Sequence, residues 1–199
     1  MTLAQELKTL LPRGTILRFG EIQLTRSPDG RFEVRHAEDN DTPSESLTLF
    51  DSPADLREIA KYDACGMYRP LKTAPTLRSG WISHCGEASE FLRRIDAIYP
   101  ALFATWIRYR RGEHNPTSLR KTLDRQSGMY RFTGKISDPT ANQIMREICS
   151  PGCLRKIAWP INDSAPVSRL KDMSGQIPAI CTEACTFVVS AARELAKSK

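Results

Sequence analysis

Apolar and polar residues alternate with a period of two between residues 14 and 36. That spacing belongs to strands with one face in a core and the other toward water. Residues 15–19 lead into 21–26. Ser27-Pro28-Asp29-Gly30 is a turn with proline early and glycine at its end, and 31–36 alternates again. The pattern predicts antiparallel strands with Ile22, Leu24, Phe32 and Val34 on one buried face. Ahead of them Leu3, Leu7, Leu10 and Leu11 follow Thr2 at helical spacing. They predict a capped amphipathic helix whose apolar face packs on this domain or on a partner.

Past residue 36 the period changes. An acidic, polar loop over 37–45 precedes Ser52-Pro53-Ala54-Asp55, a serine cap with proline at the first helical position. That helix is expected to reach about Tyr62, followed by an irregular segment over 65–71 and a strand over 75–82. Phe91, Leu92, Ile95, Ile98 and Tyr99 mark a helix over 87–99. Leu102, Phe103, Trp106 and Ile107 mark a second from Pro100, with the aromatic rings read as core rather than a cofactor stack. Asn115-Pro116-Thr117-Ser118 opens a third helix, 128–133 reads as a strand, and Ser137-Asp138-Pro139-Thr140 caps a helix leading to Cys149. The predicted class is α+β. A small antiparallel β-rich supporting part with the N-terminal helix covers residues 1–75, and a mainly helical, four-cysteine part covers 76–199, with a soft boundary near Thr76.

The cysteines change the picture most. Cys149-Ser150-Pro151-Gly152-Cys153 and Cys181-Thr182-Glu183-Ala184-Cys185 are two Cys-x3-Cys pairs separated by 27 residues. Four thiolates in two close pairs can enclose one metal ion or one iron–sulfur cluster, and only the intervening loop must be closed by the fold. Pro151 and Gly152 bend the chain between the first pair. The second pair opens a predicted helix over 182–196, whose free N–H groups favour negative charge. Arg146, Arg155, Lys156, Arg169 and Lys171 lie near in sequence and either offset that charge or are simply solvated. Buried reduced cysteines and a structural zinc site are the competing readings, since zinc accepts Cys-x2–4-Cys spacing. Disulfides suit secreted domains, and the N-terminus carries no export signal. Six cysteines in such a chain point to a reducing cytoplasm.

Charge excludes little. The net charge is +6, from 29 Lys+Arg against 23 Asp+Glu, and the basic residues are dispersed. Dispersed charge argues against nucleic acid and suits an acidic protein or carboxylate ligand at least as well. No apolar run approaches the length of a membrane span. There is no GxGxxG, Walker A or H-E-x-x-H motif. His36, His84 and His114 lack partners at metal or triad spacing. His84 and Cys85 are strand neighbours, which face opposite ways. Cys65 and Cys85 read as structural thiols. No catalytic residue is assigned, and catalysis is left open.

Several stretches together resemble the iron–sulfur region fused to some bacterial sirohydrochlorin cobaltochelatase-like proteins. They are Phe32-Glu33-Val34-Arg35-His36, Tyr68-Arg69-Pro70-Leu71-Lys72, Ala74-Pro75-Thr76-Leu77-Arg78-Ser79-Gly80-Trp81, Gln126-Ser127-Gly128-Met129-Tyr130-Arg131, Trp159-Pro160 and the two cysteine pairs. The resemblance implies a β-rich supporting domain followed by a domain holding a [4Fe-4S] cluster, with Cys149, Cys153, Cys181 and Cys185 as ligands. The chelatase domain and its histidine-bearing metal site have no counterpart here, so metal insertion does not carry over. The reading is a cluster-bearing protein for electron transfer or redox sensing beside tetrapyrrole or cobalamin metabolism. Its expected partner is a redox protein, for example a tetrapyrrole-pathway enzyme. The alternative is a non-catalytic interaction module with a four-cysteine zinc site.

Overall fold

The computed structural model describes residues 1–61, 77–126, 128–149, 161, 176–177, 181 and 183–198. Helix α1 (Leu3–Leu10) is fixed at its start by a capping box. The Gln5 N–H donates to Thr2 Oγ1 at 3.2 Å and the Thr2 N–H donates to Gln5 Oε1 at 2.7 Å. These bonds satisfy donors that a helix start leaves open. Leu7 and Leu11 are fully buried, so the apolar face of α1 packs on this domain rather than on a partner.

Strands β1 (Thr15–Phe19), β2 (Ile22–Arg26) and β3 (Phe32–His36) follow as a meander. Leu17 faces Leu24 and Leu24 faces Val34 in register. Ile22, Leu24, Phe32 and Val34 are all buried, as their alternation requires. Next come β4 (Thr48–Leu49), α2 (Pro53–Lys61) and β5 (Trp81–Cys85). The sheet order is β4-β5-β3-β2-β1-β6, where β6 is Gln176–Ile177. Its four inner strands are antiparallel, and the two short outer strands pair parallel to their neighbours. The expected strand over 75–82 thus lies at 81–85. Trp81, Ile82 and Ser83 are buried in succession, so both faces are covered and no alternation marks the true boundary.

Helices α3 (Ala88–Ile98) and α4 (Leu102–Arg110) complete the first core. Phe19 meets Tyr99 and Phe103 edge-on at 5.4 and 5.8 Å, and Phe32 stacks on Phe91 at 5.0 Å. The second helix begins at Leu102 instead of Pro100, because Ala101 adopts a left-handed conformation with φ 57° to turn the chain. Its N–H donates to the Asp96 carboxylate at 3.2 Å. Arg111 at the end of α4 pairs with Glu6 of α1, closing the N-terminal helix onto this layer. The sequence division near Thr76 falls outside the described residues. The observed packing groups α3 and α4 with the sheet.

A second, smaller core is built from α5 (Leu119–Asp124), α6 (Asp138–Ile144) and α7 (Thr186–Lys197). The third predicted helix starts at Leu119, with Ser118 as its cap accepting from the Lys121 N–H. The predicted strand over 128–133 is instead two 3-10 turns, Met129–Arg131 and Thr133–Lys135. Gly128 enters them with φ 74° and Met129 is buried in the second core, which holds no strand of the described sheet. Without a sheet edge to pair with, local β propensity does not decide the outcome.

Among the described glycines the tightest steric demand falls at a strand turn. Gly20 joins β1 to β2 at φ 62°, and a Cβ there would stand 2.8 Å from the Tyr99 hydroxyl. That hydroxyl accepts from the Glu21 N–H at 3.1 Å. Gly20→Ala is expected to lose about 1–3 kcal/mol, from left-handed backbone strain and the displaced tyrosine. A urea midpoint shift checks this, and an unchanged midpoint refutes it.

Candidate metal centre

Ser137 starts α6 by accepting from the Thr140 N–H at 3.4 Å, with Pro139 in the first turn. Ala141 and Ile144 bury one side of α6 in the second core. The helix then widens into a single π turn, Met145–Cys149. Such turns are uncommon and gather at functional sites. This one ends on Cys149, which is half-buried against the second core.

The second pair arrives from the sheet. Ile177 of β6 is buried in the first core and lies opposite Phe19 of β1. Four residues further on stands Cys181, a reach of at most about 14 Å from that anchor. Cys181 is half-buried, and its Sγ donates to the Glu183 carbonyl at 3.0 Å. The chain then extends to Cys185, the N-cap of α7, with φ −79° and ψ 167°. Cys185 Sγ accepts from the Val188 N–H at 3.5 Å. The predicted helix over 182–196 therefore begins at Thr186. A cap must keep extended backbone, so Cys185 stands at the mouth of the helix rather than inside its first turn. An anion held there meets the open N–H groups of that turn.

Cys149, Cys181 and Cys185, widely separated along the chain, thus all pack against the same cluster of Leu119, Leu123, Met129, Ile144, Val188 and their neighbours. Among the described residues, no three His, Cys, Asp or Glu side chains by themselves form a group able to hold a metal ion. The fourth predicted ligand, Cys153, lies outside the described residues, as does Cys65. The three described donors are thiols that pack against one apolar core, and one of them, Cys185, stands at an anion-favouring helix start. This set fits an iron–sulfur cluster.

The remaining candidates stand apart. Cys85 is buried on the core face of β5, and burial pushes its thiol up to about 11, with the Arg94 charge opposing that shift. It is a structural thiol, poor as a nucleophile or ligand. His84 points to the other face, where its Nδ1 lies 3.6 Å from Glu33 Oε2. His36 is buried and accepts from the Glu38 N–H through Nδ1. Burial lowers its pKa, and the nearby Glu38 and Asp39 charges oppose the shift. His114 lies near Arg108, its pKa lowered by partial burial. Among the described residues, no helix is long and apolar enough to cross a membrane. The capping role of Cys185 and the anchoring role of β6 were not visible in the sequence. A thiol three residues ahead of an N–H donor was the available signal for the first, and two residues of strand carry none for the second.

Comparison with known proteins agrees with this architecture. The family profile of the DR2241 stabilising domain matches residues 4–110, the sheet and the first core. A 4Fe-4S iron-sulfur cluster binding domain matches residues 111–194. Among solved structures, the chain is similar to DR2241 from Deinococcus radiodurans, at 25% identity and a TM-score of 0.73. DR2241 is described as a multi-domain protein with structural similarity to chelatases and two additional novel domains. The match covers 92% of this chain and 39% of that one. No curated protein matches. The chain is an α+β iron–sulfur protein with a [4Fe-4S] cluster as its cofactor. It belongs to the DR2241 stabilising domain family, with the cluster-binding domain following in the same chain.

Proposed function

We propose that Cys149, Cys153, Cys181 and Cys185 ligate the [4Fe-4S] cluster, and that the chain uses it for single-electron transfer or redox sensing in tetrapyrrole metabolism, of the cobalamin type. The observation that carries the ligand set is the packing of Cys149, Cys181 and Cys185 against the same small core, with Cys185 capping α7. The cluster supplies a one-electron redox centre. The protein's residues do the rest. The π turn and the α7 cap orient the sulfurs, the second core limits water at the site, and backbone N–H groups favour the anionic centre. The metabolic assignment is supported by the chelatase likeness reported for DR2241, and it includes a partner protein that supplies or receives the electron.

The test is anaerobic purification with a visible spectrum and assays of iron, sulfide and zinc. The expected protein is brown and holds about four irons and four sulfides per chain. Serine at any one of the four cysteines should bleach it, and Cys85→Ser should not. A colourless protein with one zinc overturns the reading. So does a chromophore that survives Cys185→Ser. The metabolic link fails if cells lacking the gene keep their full content of metallated tetrapyrroles.

A further inference from the structure

The charge of this protein is unevenly divided. Residues 1–110 carry 15 Lys+Arg and 15 Asp+Glu, so the whole net charge of +6 falls on residues 111–199, with 14 against 8. Within that half, part of the excess is gathered in one place. Helix α5 and the 3-10 turns 129–131 and 133–135 pack on one another. They expose Lys121, Arg125, Arg131 and Lys135. Arg193 of α7 joins them, its Nε 3.3 Å from the Met129 sulfur and its Nη2 beside Gly128. Among the described residues of this group the acid is Asp124, which accepts a hydrogen bond from the Thr133 hydroxyl at 2.9 Å.

An aromatic ring stands among these charges. Tyr130 is 62% exposed, with the Arg131 guanidinium 5.5 Å from its ring centre and Arg131 Nε donating to its hydroxyl at 3.0 Å. An exposed tyrosine bordered by an arginine is the composition of a binding hot spot. The surface is also close to the metal centre. Met129 beneath Tyr130 is buried in the core that carries the three cysteines. Arg193 lies eight residues along α7 from Cys185, roughly 12 Å at the rise of an α-helix.

We propose that this face, formed by α5, the two 3-10 turns and Arg193, docks an acidic one-electron carrier protein. The inference rests on the electron-transfer reading above and adds the partner's chemistry and its landing site. In the exchange one electron leaves the reduced carrier, which ends oxidised by one electron, and arrives at the cluster; no bond forms or breaks and no proton moves. Opposite charge speeds the encounter and fixes its orientation, and the effect weakens as salt screens it.

The test uses the full cluster-loaded chain and a flavodoxin of strong negative charge as the probe. Calorimetry gives the Kd for oxidised flavodoxin, and anaerobic stopped-flow gives the rate of electron arrival from its reduced form. Photoreduced deazaflavin, small and without a docking face, is the control donor. Raising salt from about 0.02 to 0.3 M is expected to weaken binding and slow arrival roughly tenfold or more. Arg131→Glu and Lys135→Glu should each weaken binding about three- to tenfold, with Tyr130→Ala of similar size. Lys8→Glu and Arg31→Glu change the net charge equally on the first half and should have no such effect. Equal losses at all four positions, or salt-independent binding, overturn the docking face. Tighter binding of a single-stranded oligonucleotide than of flavodoxin, lost in the same variants, also overturns it in favour of nucleic acid. Failure of deazaflavin to deliver an electron refutes the electron-transfer reading itself, whatever the docking result.

Discussion

Stripping the cluster by anaerobic chelation, or replacing Cys185 with serine, is expected to release residues 183–198 from protection while the sheet stays closed. The reason lies in the size of the second core. Three of its nine buried members among the described residues are alanines, Ala141, Ala184 and Ala192, and none is aromatic. The first core holds Phe19, Phe32, Phe91, Phe103, Trp81 and Trp106. Burial of such rings contributes far more than burial of a methyl group. The binding free energy of a site formed only on folding becomes folding free energy for the part that forms it. Amide exchange in α7 should therefore rise at least about a hundredfold on cluster loss, roughly 3 kcal/mol, a modest share of what structural metal sites contribute. β2, β3 and α3 should exchange as before. Equal protection of α7 with and without the cluster would show a preformed scaffold instead.

Arg94→Ala is expected to be the most damaging single change outside the metal centre. Arg94 is 3% exposed and sits on α3 beneath the sheet. Nη1 donates to the Phe50 carbonyl at 3.2 Å and to the Ser83 hydroxyl. Nη2 donates to the Asp51 carbonyl at 2.7 Å and to Glu90 at 2.6 Å. One guanidinium thus ties α3 to β5 and to the connection between β4 and α2. Its removal leaves the Asp51 carbonyl without that donor, while the Phe50 carbonyl keeps the Ser83 hydroxyl and the part-exposed Glu90 carboxylate turns to water. Losing these hydrogen bonds together with the buried stem of the side chain costs about 2–4 kcal/mol. For a chain of this length that lowers the melting temperature by roughly 10 °C. Arg94→Lys should recover little, because an ammonium cannot span the same fork of acceptors. A loss below about 1 kcal/mol in urea would mean that water replaces the guanidinium.

The strands legible in the sequence were those with one apolar and one polar face. β1, β2 and β3 alternate because one side carries the apolar residues and the other polar ones, some of them buried such as Gln23, Arg35 and His36, and their turns carry glycine at positive φ where hairpins need it. β5 was displaced by several residues because burial on both sides erases the period. β4 and β6 have two residues each, too few to show any period. Helix caps were legible where a hydroxyl made them, at Thr2, Ser52 and Ser137. The cap of α7 was not, because its acceptor is a thiol, and the start of that helix was read four residues early. At the metal centre the spacing of the cysteines carried the chemistry. It could not show that Cys149 closes a π turn, since that depends on packing between α6 and α7.

The parallel pairing of β6 with β1 ties the two halves together through the sheet. The chain finishes the first core with α4, builds α5 and α6, and then returns two residues to the sheet before entering α7. A fragment ending at Arg110 therefore lacks a piece of its own β layer and bares the outer edge of β1 at Arg18 and Phe19. An open edge is a template for another chain. The supporting part without the cluster-bearing part would bare that stretch of edge, so the strand acts as a covalent tether between modules and as a cover for the end of β1.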